Sequence, residues 1–294
     1  MRAAAILGLG SSPRNLEPFQ ENPVVEWTLG LPASGGDADV VLIFGGDGTV
    51  HRHLAALVTL KLPVLVVPCG SGNDFARALG LGRTSDALAS WRKFVSGNNN
   101  TRIIDLGRIT PLGCPEPGLP GNMAPRYFCC AGGIGLDGEI ARRANRLPRW
   151  LRAHGGYLLS FLPALASFQS VPTRILAVHG ERGETRSEER IFVTVFANTP
   201  AYGGGMKVAP RAILDDGQLD VCIVSELPKL RLFCLFPSVY FGRHLAVPEV
   251  EYYQATSVRL ETGGPLDVYA DGEYVCPTPV EVSLEARCLR VIVA

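Results

Sequence analysis

The chain lacks an excess of charge of either sign. Its 294 residues contain 28 Lys plus Arg and 28 Asp plus Glu, so the formal net charge at pH 7 is zero. A protein that binds nucleic acid usually presents a basic field to the phosphate backbone, and a balanced chain has no such field overall. We therefore expect no nucleic-acid partner.

Long apolar runs are also missing. The two most apolar later stretches, 157–168 and 230–241, are twelve residues each and both contain proline. A helix that spans a bilayer needs about 20 apolar residues. In the N-terminal "MRAAAILGLGSSP" no A-x-A cleavage pattern follows the short apolar run, which favours a first buried strand over a signal peptide. The sequence predicts no integral membrane segment.

Paired cysteine motifs are absent as well. None of the eight cysteines forms a C-x-x-C, and Cys129 and Cys130 are adjacent. On a strand, two such neighbours would point to opposite faces. Six of the eight cysteines lie in or beside apolar β-like runs, where cysteine acts as a small hydrophobe. This pattern is typical of reduced thiols, and we expect a cytoplasmic protein.

The pattern that is present divides the chain into two parts. Apolar residues make up 47% and charged residues 19%, which is a globular composition. The first hundred residues alternate continuous apolar strands with helices, as in a parallel α/β sheet. After "SGNNN" (96–100), short β runs separated by Gly, Pro, Asn and Asp predict an antiparallel sandwich or barrel.

We therefore predict an α/β domain over 1–105 and a β-sandwich domain over 106–294, with a cleft between them. A last strand near 288–294 is a candidate to return to the first domain. Helical patterns interrupt the β region at about 137–168 and 228–242. The segment 111–125 contains five prolines and reads as an exposed loop.

Two glycine-rich loops each follow an apolar strand and precede a helix. The first is "FGGDGT" and the second is "CGSGND". Glycines let backbone amides approach a phosphate, and the helix N-terminus attracts it. Neither loop is a Walker A loop, because no Gly-Lys-Ser/Thr is present. At the carboxyl edge of a parallel sheet, both loops should open onto one crevice.

Each loop also carries an acid, Asp47 in the first and Asp74 in the second. A carboxylate next to phosphate is useful when Mg²⁺ lies between them, or when it orders or deprotonates an attacking hydroxyl. The simpler alternative is that Asp47 is only the N-cap of its own helix. The repeated loop favours phosphoryl transfer.

Six motifs in order resemble the catalytic family of diacylglycerol kinases, which includes sphingosine and ceramide kinases and bacterial lipid kinases. They are "GGDGT" (45–49), "PCGSGNDFARALGL" (68–81), "CAGGIGLDGEIA" (130–141), "NTPAYGGGMKVAPRAILDDGQLDV" (198–221), "GRHLAVPEVE" (242–251) and "ADGEYV" (270–275). The resemblance covers nearly the whole chain. It implies an α/β nucleotide domain like that of phosphofructokinase and NAD kinase, joined to a β-sandwich.

The resemblance also implies ATP and Mg²⁺ as cofactors. The residues that it assigns to nucleotide binding are Gly45, Gly46, Asp47, Gly48, Thr49, Val50, Ser71, Asn73, Asp74 and, as the candidate for a preceding threonine, Thr28.

Two further roles follow from the resemblance. Glu273 of "ADGEYV" would take the proton from the lipid hydroxyl, with Asp271 and Asp47 as electrostatic partners or metal ligands. In isolation, this Asp-Gly would be an ordinary hairpin turn. A structural Mg²⁺ would be held by Asp216 and the backbone oxygens of Leu219 and Val221, since all-oxygen ligation suits this metal.

Two positions depart from the family pattern. The usual x-N-E after GGDGT is Val50-His51-Arg52 here, and "GLGSSPRN" replaces an Asn-Pro…Gly segment near the N-terminus. Two interpretations of His51 stay open: a donor to phosphate or hydroxyl, or a solvated side chain in the first helical turn. "YGGGMKVAP" (202–210) reads as a mobile flap near the cleft.

Residues 142–168 begin with an arginine cluster and continue into an apolar stretch. A solvated face plus a core face explains this pattern, and so does a helix that contacts anionic lipid at a membrane surface. A homodimer is also left open. The predicted function is an ATP-dependent lipid kinase; NAD kinase and a catalytically weak nucleotide- or lipid-binding relative are the alternatives.

Overall fold

The computed structural model describes residues 1–113, 124–148, 156–180 and 183–294. The strands are β1 (Arg2–Leu7), β2 (Glu26–Leu29), β3 (Val40–Gly45), β4 (Val64–Pro68), β5 (Thr101–Pro111), β6 (Arg126–Phe128), β7 (Ala131–Gly135), β8 (Val171–Val178), β9 (Glu184–Ala197), β10 (Leu219–Ser225), β11 (Val250–Ala255), β12 (Ser257–Thr262), β13 (Asp267–Ala270), β14 (Glu273–Pro277) and β15 (Val280–Ile292). The helices are α1 (Pro13–Leu16), α2 (Asp47–Leu60), α3 (Asp74–Ala78), α4 (Thr84–Val95), α5 (Leu136–Arg146), α6 (Gly156–Ser167) and α7 (Lys229–Val239).

The N-terminal part is a parallel α/β unit. β1 pairs in parallel with β2 and β3, and β3 pairs in parallel with β4. Every residue of β3 and β4 is buried, which explains why both read as unbroken apolar runs. Both glycine loops leave the carboxyl ends of these two neighbouring strands, so the expected crevice forms at that edge of the sheet.

The C-terminal part is built of antiparallel strands, as predicted. β9 is its longest strand and pairs with β7, β8 and β10. One apolar core lies within the β structure, and a second lies between it and helices α5, α6 and α7. The predicted fold class, an α/β unit followed by a mostly antiparallel β unit, is confirmed.

Two long strands run through both parts. β5 and β15 pair over most of their length, and the end of β15 also pairs in parallel with β4 at Val291 and Val64. The predicted boundary between residues 105 and 106 therefore falls inside a strand, and the division into two domains stays a prediction.

Asp105 fixes the irregular middle of this strand pair. The register shifts between Glu285 and Leu289, and Arg287 has φ +53°. The Asp105 carboxylate is almost fully buried and accepts hydrogen bonds from the Arg287 amide at 2.6 Å and the Gly217 amide at 2.9 Å. Because buried amides need partners, one carboxylate joins the strand bulge to the Asp216 turn.

Helices α6 and α7 cover the outer face of the β unit. Phe161 and Phe236 stack between them with ring centroids 3.9 Å apart. Prolines 163 and 237 lie inside these helices, and both helices fall within the predicted helical regions. Among the described residues, no helix combines the length and the apolar character that a membrane crossing requires.

Most of the predicted loop 111–125 lies outside the described residues, as do Arg149 and Arg152 of the arginine cluster.

The expectation that Cys129 and Cys130 point to opposite faces is wrong. They lie in a bend before β7, where the strand alternation does not apply, and their sulfur atoms are within 4.8 Å of each other.

Candidate active site

The two glycine loops lie in direct contact. A Cβ atom on Gly70 would be 2.5 Å from the Gly46 Cα, and one on Gly46 would be 3.0 Å from the Gly70 Cα. Only glycine allows this approach of two backbones. Asn73, at φ +54°, shapes the second loop by accepting from the Gly70 amide at 2.9 Å and donating to the Gly70 carbonyl at 2.7 Å.

Asp47 joins the first loop to the second. Its carboxylate accepts hydrogen bonds from the backbone amides of Asp74 and Phe75, each at 3.0 Å. These are free amides in the first turn of α3, so Asp47 caps the helix of the other loop. The N-cap of its own helix α2 is Gly46. The alternative that Asp47 is an N-cap is therefore right, but the helix that it caps is α3 and not its own helix α2.

This placement makes Asp47 an unusual acid. Burial, together with the nearby Asp74 and Asp271 carboxylates, raises its pKa to about 6 against the lowering effect of the two amide hydrogen bonds. A carboxyl group with such a pKa changes its charge close to neutral pH.

Asp74 connects the second loop to the predicted flap. It is buried, pairs with Arg77, and accepts a hydrogen bond from the Gly204 amide at 2.8 Å. Gly203, Gly204 and Gly205 all have positive φ, and Tyr202 and Met206 close the turn with a β-bridge. The flap therefore reaches across the cleft to the α/β unit.

Asp271 holds the other wall of the cleft. Its fully buried carboxylate accepts from the amides of Cys129 at 2.9 Å and Cys130 at 2.8 Å, and lies 3.0 Å from His51 Nδ1. The interpretation of His51 as a solvated side chain is wrong, because its side chain is buried against Asp271. The structure also gives His51 a carboxylate partner in place of the predicted phosphate or hydroxyl.

Glu273 faces the first loop. A Cβ atom on Gly48 would lie 2.9 Å from Glu273 Oε1, so this carboxylate sits against the glycine backbone across the cleft. The turn Asp271–Gly272 between β13 and β14 carries it there, with Asp271 at φ +50°. The turn is a hairpin and also presents two acids to the glycine loops.

The cleft between these groups has a volume of about 430 Å³. Eight of the predicted site residues line it: Gly46, Asp47, Gly48, Thr49, Ser71, Asp74, Asp271 and Glu273. Four predicted nucleotide residues do not line it. Gly45 and Val50 are buried, the Asn73 side chain is used within its loop, and Thr28 is exposed on the edge strand β2.

Sequence reasoning gave no role to several residues that line the cleft. Arg52 donates from Nε to the Gly48 carbonyl at 2.9 Å, and it was treated only as a departure from the family pattern. Asp137, inside the quoted "GGIGLDGE", accepts a hydrogen bond from Tyr202. An acidic residue directly after a glycine-rich strand could have marked Asp137 as a candidate site residue.

A second, apolar cavity adjoins the cleft. It measures about 80 Å³ and lies between the β unit and helices α5, α6 and α7. Asp137 and Tyr202 line both spaces, so this hydrogen-bonded pair forms their common wall. The remaining lining is almost entirely apolar and includes Phe161, Val224 and Leu232.

The predicted magnesium residues lie away from the cleft. Asp216 accepts from the Gln218 amide at 3.0 Å and from Gln254 Nε2 at 3.2 Å. Leu219 and Val221 belong to β10, which is paired on both edges, so their carbonyls also serve the sheet. Burial raises the pKa of the neighbouring Asp220, and its Oδ2 has no hydrogen-bond partner among the described residues. These all-oxygen donors fit Mg²⁺.

Comparison with known proteins agrees with this arrangement. The diacylglycerol kinase catalytic domain matches residues 25–109, and the YegS C-terminal NAD kinase beta sandwich-like domain matches residues 132–293. A diacylglycerol kinase of Mycobacterium tuberculosis is 33% identical over 254 residues, which cover 86% of this chain and 76% of that protein. A diacylglycerol kinase of Bacillus subtilis is 26% identical over 257 residues, covering 86% and 77%.

Solved structures share the fold. A diacylglycerol kinase from Bacillus anthracis has a TM-score of 0.67 at 18% identity, with 100% of this chain and 97% of that chain covered. An NAD kinase from Archaeoglobus fulgidus in complex with ATP has a TM-score of 0.52 at 14% identity, covering 99% and 93%. Fold and site together define a kinase of the NAD-kinase-like architecture. The chain belongs to the diacylglycerol kinase family.

The raised pKa of Asp47 should appear as a pH dependence of stability. Between pH 4 and pH 7 the folded state holds this proton longer than the unfolded chain does, so Asp47 makes folding less favourable as pH rises. In metal-free buffer, the free energy of unfolding of the wild type should fall by roughly 2–3 kcal/mol relative to Asp47→Asn over this range. Urea unfolding at each pH measures it, and a constant difference between the two proteins would contradict it.

Proposed function

We propose that the protein is an ATP-dependent lipid kinase that transfers the γ-phosphoryl group to a hydroxyl of a diacylglycerol-like or sphingoid lipid. One observation carries this proposal: a polar cleft lined by glycine loops and carboxylates shares a wall with an apolar cavity. A phosphoryl donor suits the first space and a hydrocarbon chain suits the second. The family membership supports the same conclusion.

The nucleotide phosphates would lie along the two glycine loops. Gly46, Gly48 and Ser71 present backbone to the cleft, and Arg52 is a cation beside Gly48. Phosphoryl transfer depends on positioning and on neutralising charge, which backbone amides, an arginine and Mg²⁺ supply. Because the cleft has converging carboxylates, a Mg²⁺ that accompanies ATP would offset their repulsion of phosphate.

Glu273 is the proposed base for the lipid hydroxyl. Its carboxylate is partly exposed in the cleft and faces the first loop. Asp271 and Asp47 lie behind it with oxygens engaged by backbone amides. They therefore act as electrostatic and positioning groups around Glu273, while Glu273 meets the acceptor.

We also propose that Mg²⁺ binds at the Asp216 turn and stabilises it. The unpartnered Oδ2 of Asp220 supports this site, together with the Asp216 carboxylate. The carbonyls of Leu219 and Val221 contribute where the strand pairing of β10 leaves a lone pair available.

The acyl chain of the acceptor would enter the apolar cavity. At about 80 Å³ the cavity is far below the roughly 300–1,000 Å³ of common ligand pockets. Helices α6 and α7 must therefore move apart to admit a chain. Their contact includes the stacked Phe161 and Phe236 and one hydrogen bond, from Lys229 Nζ to the Ala166 carbonyl at 2.8 Å, which this movement would have to break.

Peripheral membrane contact would deliver this substrate. Leu159, Leu162, Leu230, Phe233 and Phe241 are all exposed on α6, on α7 or just after it, and we call them the apolar face. Exposed apolar residues at this density are typical of an interaction surface.

Three arginines of the cluster lie among the described residues, and two of them form ion pairs within the protein. Arg142 and Arg143 are both paired with Glu139, whereas the exposed Arg243 lies over the Phe241 ring at 6.0 Å from its centroid. Arg243 is the better placed of these to meet anionic lipid. A homodimer stays a prediction.

Transfer of labelled γ-phosphate tests the function. Wild-type protein with Mg²⁺–ATP should label one of diacylglycerol, monoacylglycerol, sphingosine or ceramide in mixed micelles, and should leave NAD unlabelled. Glu273→Gln should lower kcat by about 10²–10⁴-fold because it removes the base, with an unchanged circular dichroism spectrum. Glu17→Gln, an exposed surface change, is the matched control. Label in NAD alone, or near-normal kcat in Glu273→Gln, would contradict the proposal.

Filling the apolar cavity should discriminate between chain lengths. Val224 lines it from β10, and Val224→Phe would occupy the space. We expect kcat/KM for a long-chain acceptor to fall about tenfold or more, the scale of a changed apolar pocket. A short-chain acceptor should be affected much less. Equal losses of kcat/KM for both acceptors would show that the acyl chain binds outside this cavity.

Removing the apolar face should weaken membrane contact without changing chemistry. The double variant Leu230→Ser/Phe233→Ser should sediment with anionic vesicles less than wild type, while turnover of a short-chain soluble acceptor is retained. Leu29→Ser, an equally exposed leucine on edge strand β2, controls for general loss of surface apolarity. Unchanged sedimentation of the double variant would exclude this face as the membrane contact.

A further inference from the structure

A cluster of soft and hard metal donors lies directly behind the cleft. The sulfur atoms of Cys129 and Cys130 and a carboxylate oxygen of Asp271 all lie within 4.8 Å of one another. Cys129 Sγ is 3.5 Å from Asp271 Oδ2, and His51 Nδ1 is 3.0 Å from the same oxygen. Two thiols and a carboxylate are donors that bind zinc in proteins, with a water molecule in the fourth position.

The local structure holds these donors in place without a metal. Asp271 is fixed by the amides of both cysteines, and His51 Nδ1 contacts the same carboxylate at 3.0 Å. The two sulfurs lie close together because the chain bends between β6 and β7. Metal binding would draw the three donors in to the distances of about 2.0–2.3 Å that zinc requires.

The charge around the cluster also favours a cation. Asp47, Asp74 and Asp271 line the adjoining cleft, so carboxylate charge lies beside the two thiols. A divalent cation would be attracted by this negative field. Cys130 and Asp271 border the cleft with buried side chains, so the ion would enter through a local opening of this wall.

We propose that Cys129, Cys130 and Asp271 form a binding site for a soft divalent cation of the zinc class, distinct from any magnesium site. On binding, the two thiols lose their protons to solvent and become thiolate ligands, the carboxylate and a water molecule complete a tetrahedron, and no electron is transferred. Thiolate ligands select zinc-class ions over Mg²⁺, which prefers oxygen.

Occupation of this site inhibits the kinase. The metal would take Asp271 away from the Cys129 and Cys130 amides, and the turn that carries Glu273 begins at Asp271. Glu273 would shift with respect to Gly48. The enzyme would therefore respond to free zinc through the same turn that positions its base.

Metal binding is tested first by a readout that does not depend on kinase activity. Cobalt(II) is added to the reduced full-length protein, and thiolate-to-cobalt charge-transfer absorption is recorded, followed by displacement with Zn²⁺. We expect the band in wild type and in Cys288→Ala, a half-buried cysteine on β15 that lines neither the cleft nor the apolar cavity. Cys129→Ala/Cys130→Ala should lose it. A band of equal size in the double variant, or none in the folded wild type, overturns the site.

Inhibition is the second measurement. At saturating Mg²⁺–ATP, the Zn²⁺ concentration that halves turnover should rise by roughly tenfold or more in Cys129→Ala/Cys130→Ala, since even second-shell changes cost metal sites that much. Cys288→Ala should behave like wild type. Equal zinc sensitivity of all three proteins would exclude inhibition through this cluster. The cobalt band would still report on the site if no lipid were phosphorylated.

Discussion

Hydrogen bonds from backbone amides to buried carboxylates hold the cleft together. Asp47 accepts from the start of α3, Asp74 accepts from the flap, and Asp271 accepts from the bend before β7. Each bond joins segments that are far apart in the chain. A buried amide without a partner costs free energy, so each acid both satisfies an amide and fixes a loop. The loops have few other ways to be held in register.

This arrangement leaves the cleft with negative charge that arginines only partly offset. Asp74 has Arg77, and Arg52 lies at the first loop. Burial raises the pKa of Asp47, and the neighbouring Asp74 carboxylate adds to the effect because several carboxylates cannot all ionise in a buried space at no cost. A magnesium nucleotide would supply a cation together with the phosphates. Binding of the substrate and relief of this repulsion would then be one event.

The sequence predicted the fold and the cleft well, because both depend on local patterns. Unbroken apolar strands ending in glycine identified β3 and β4 with their loops, and Asp-Gly identified the β13–β14 turn. The contacts of each side chain could not be predicted from the sequence, since they depend on which distant segments come together in the fold. His51 read as solvated or phosphate-binding because its partner Asp271 is 220 residues away. Thr28 was named by its position before the loop, and the edge strand places it elsewhere.

The continuity of β5 and β15 limits how this enzyme can move. Enzymes that close by hinge bending turn at a few loop residues between two rigid lobes. Here two paired strands cross from one half to the other, and rotation would break their ladder of hydrogen bonds. Opening and closing must therefore be local. The Gly203–Gly205 turn and the α6–α7 contact are the two candidates for such local movement, each held by a hydrogen bond. In the proposed kinase the molecule would be a fixed frame with two separate openings, one toward water for nucleotide and one toward hydrocarbon for the acceptor.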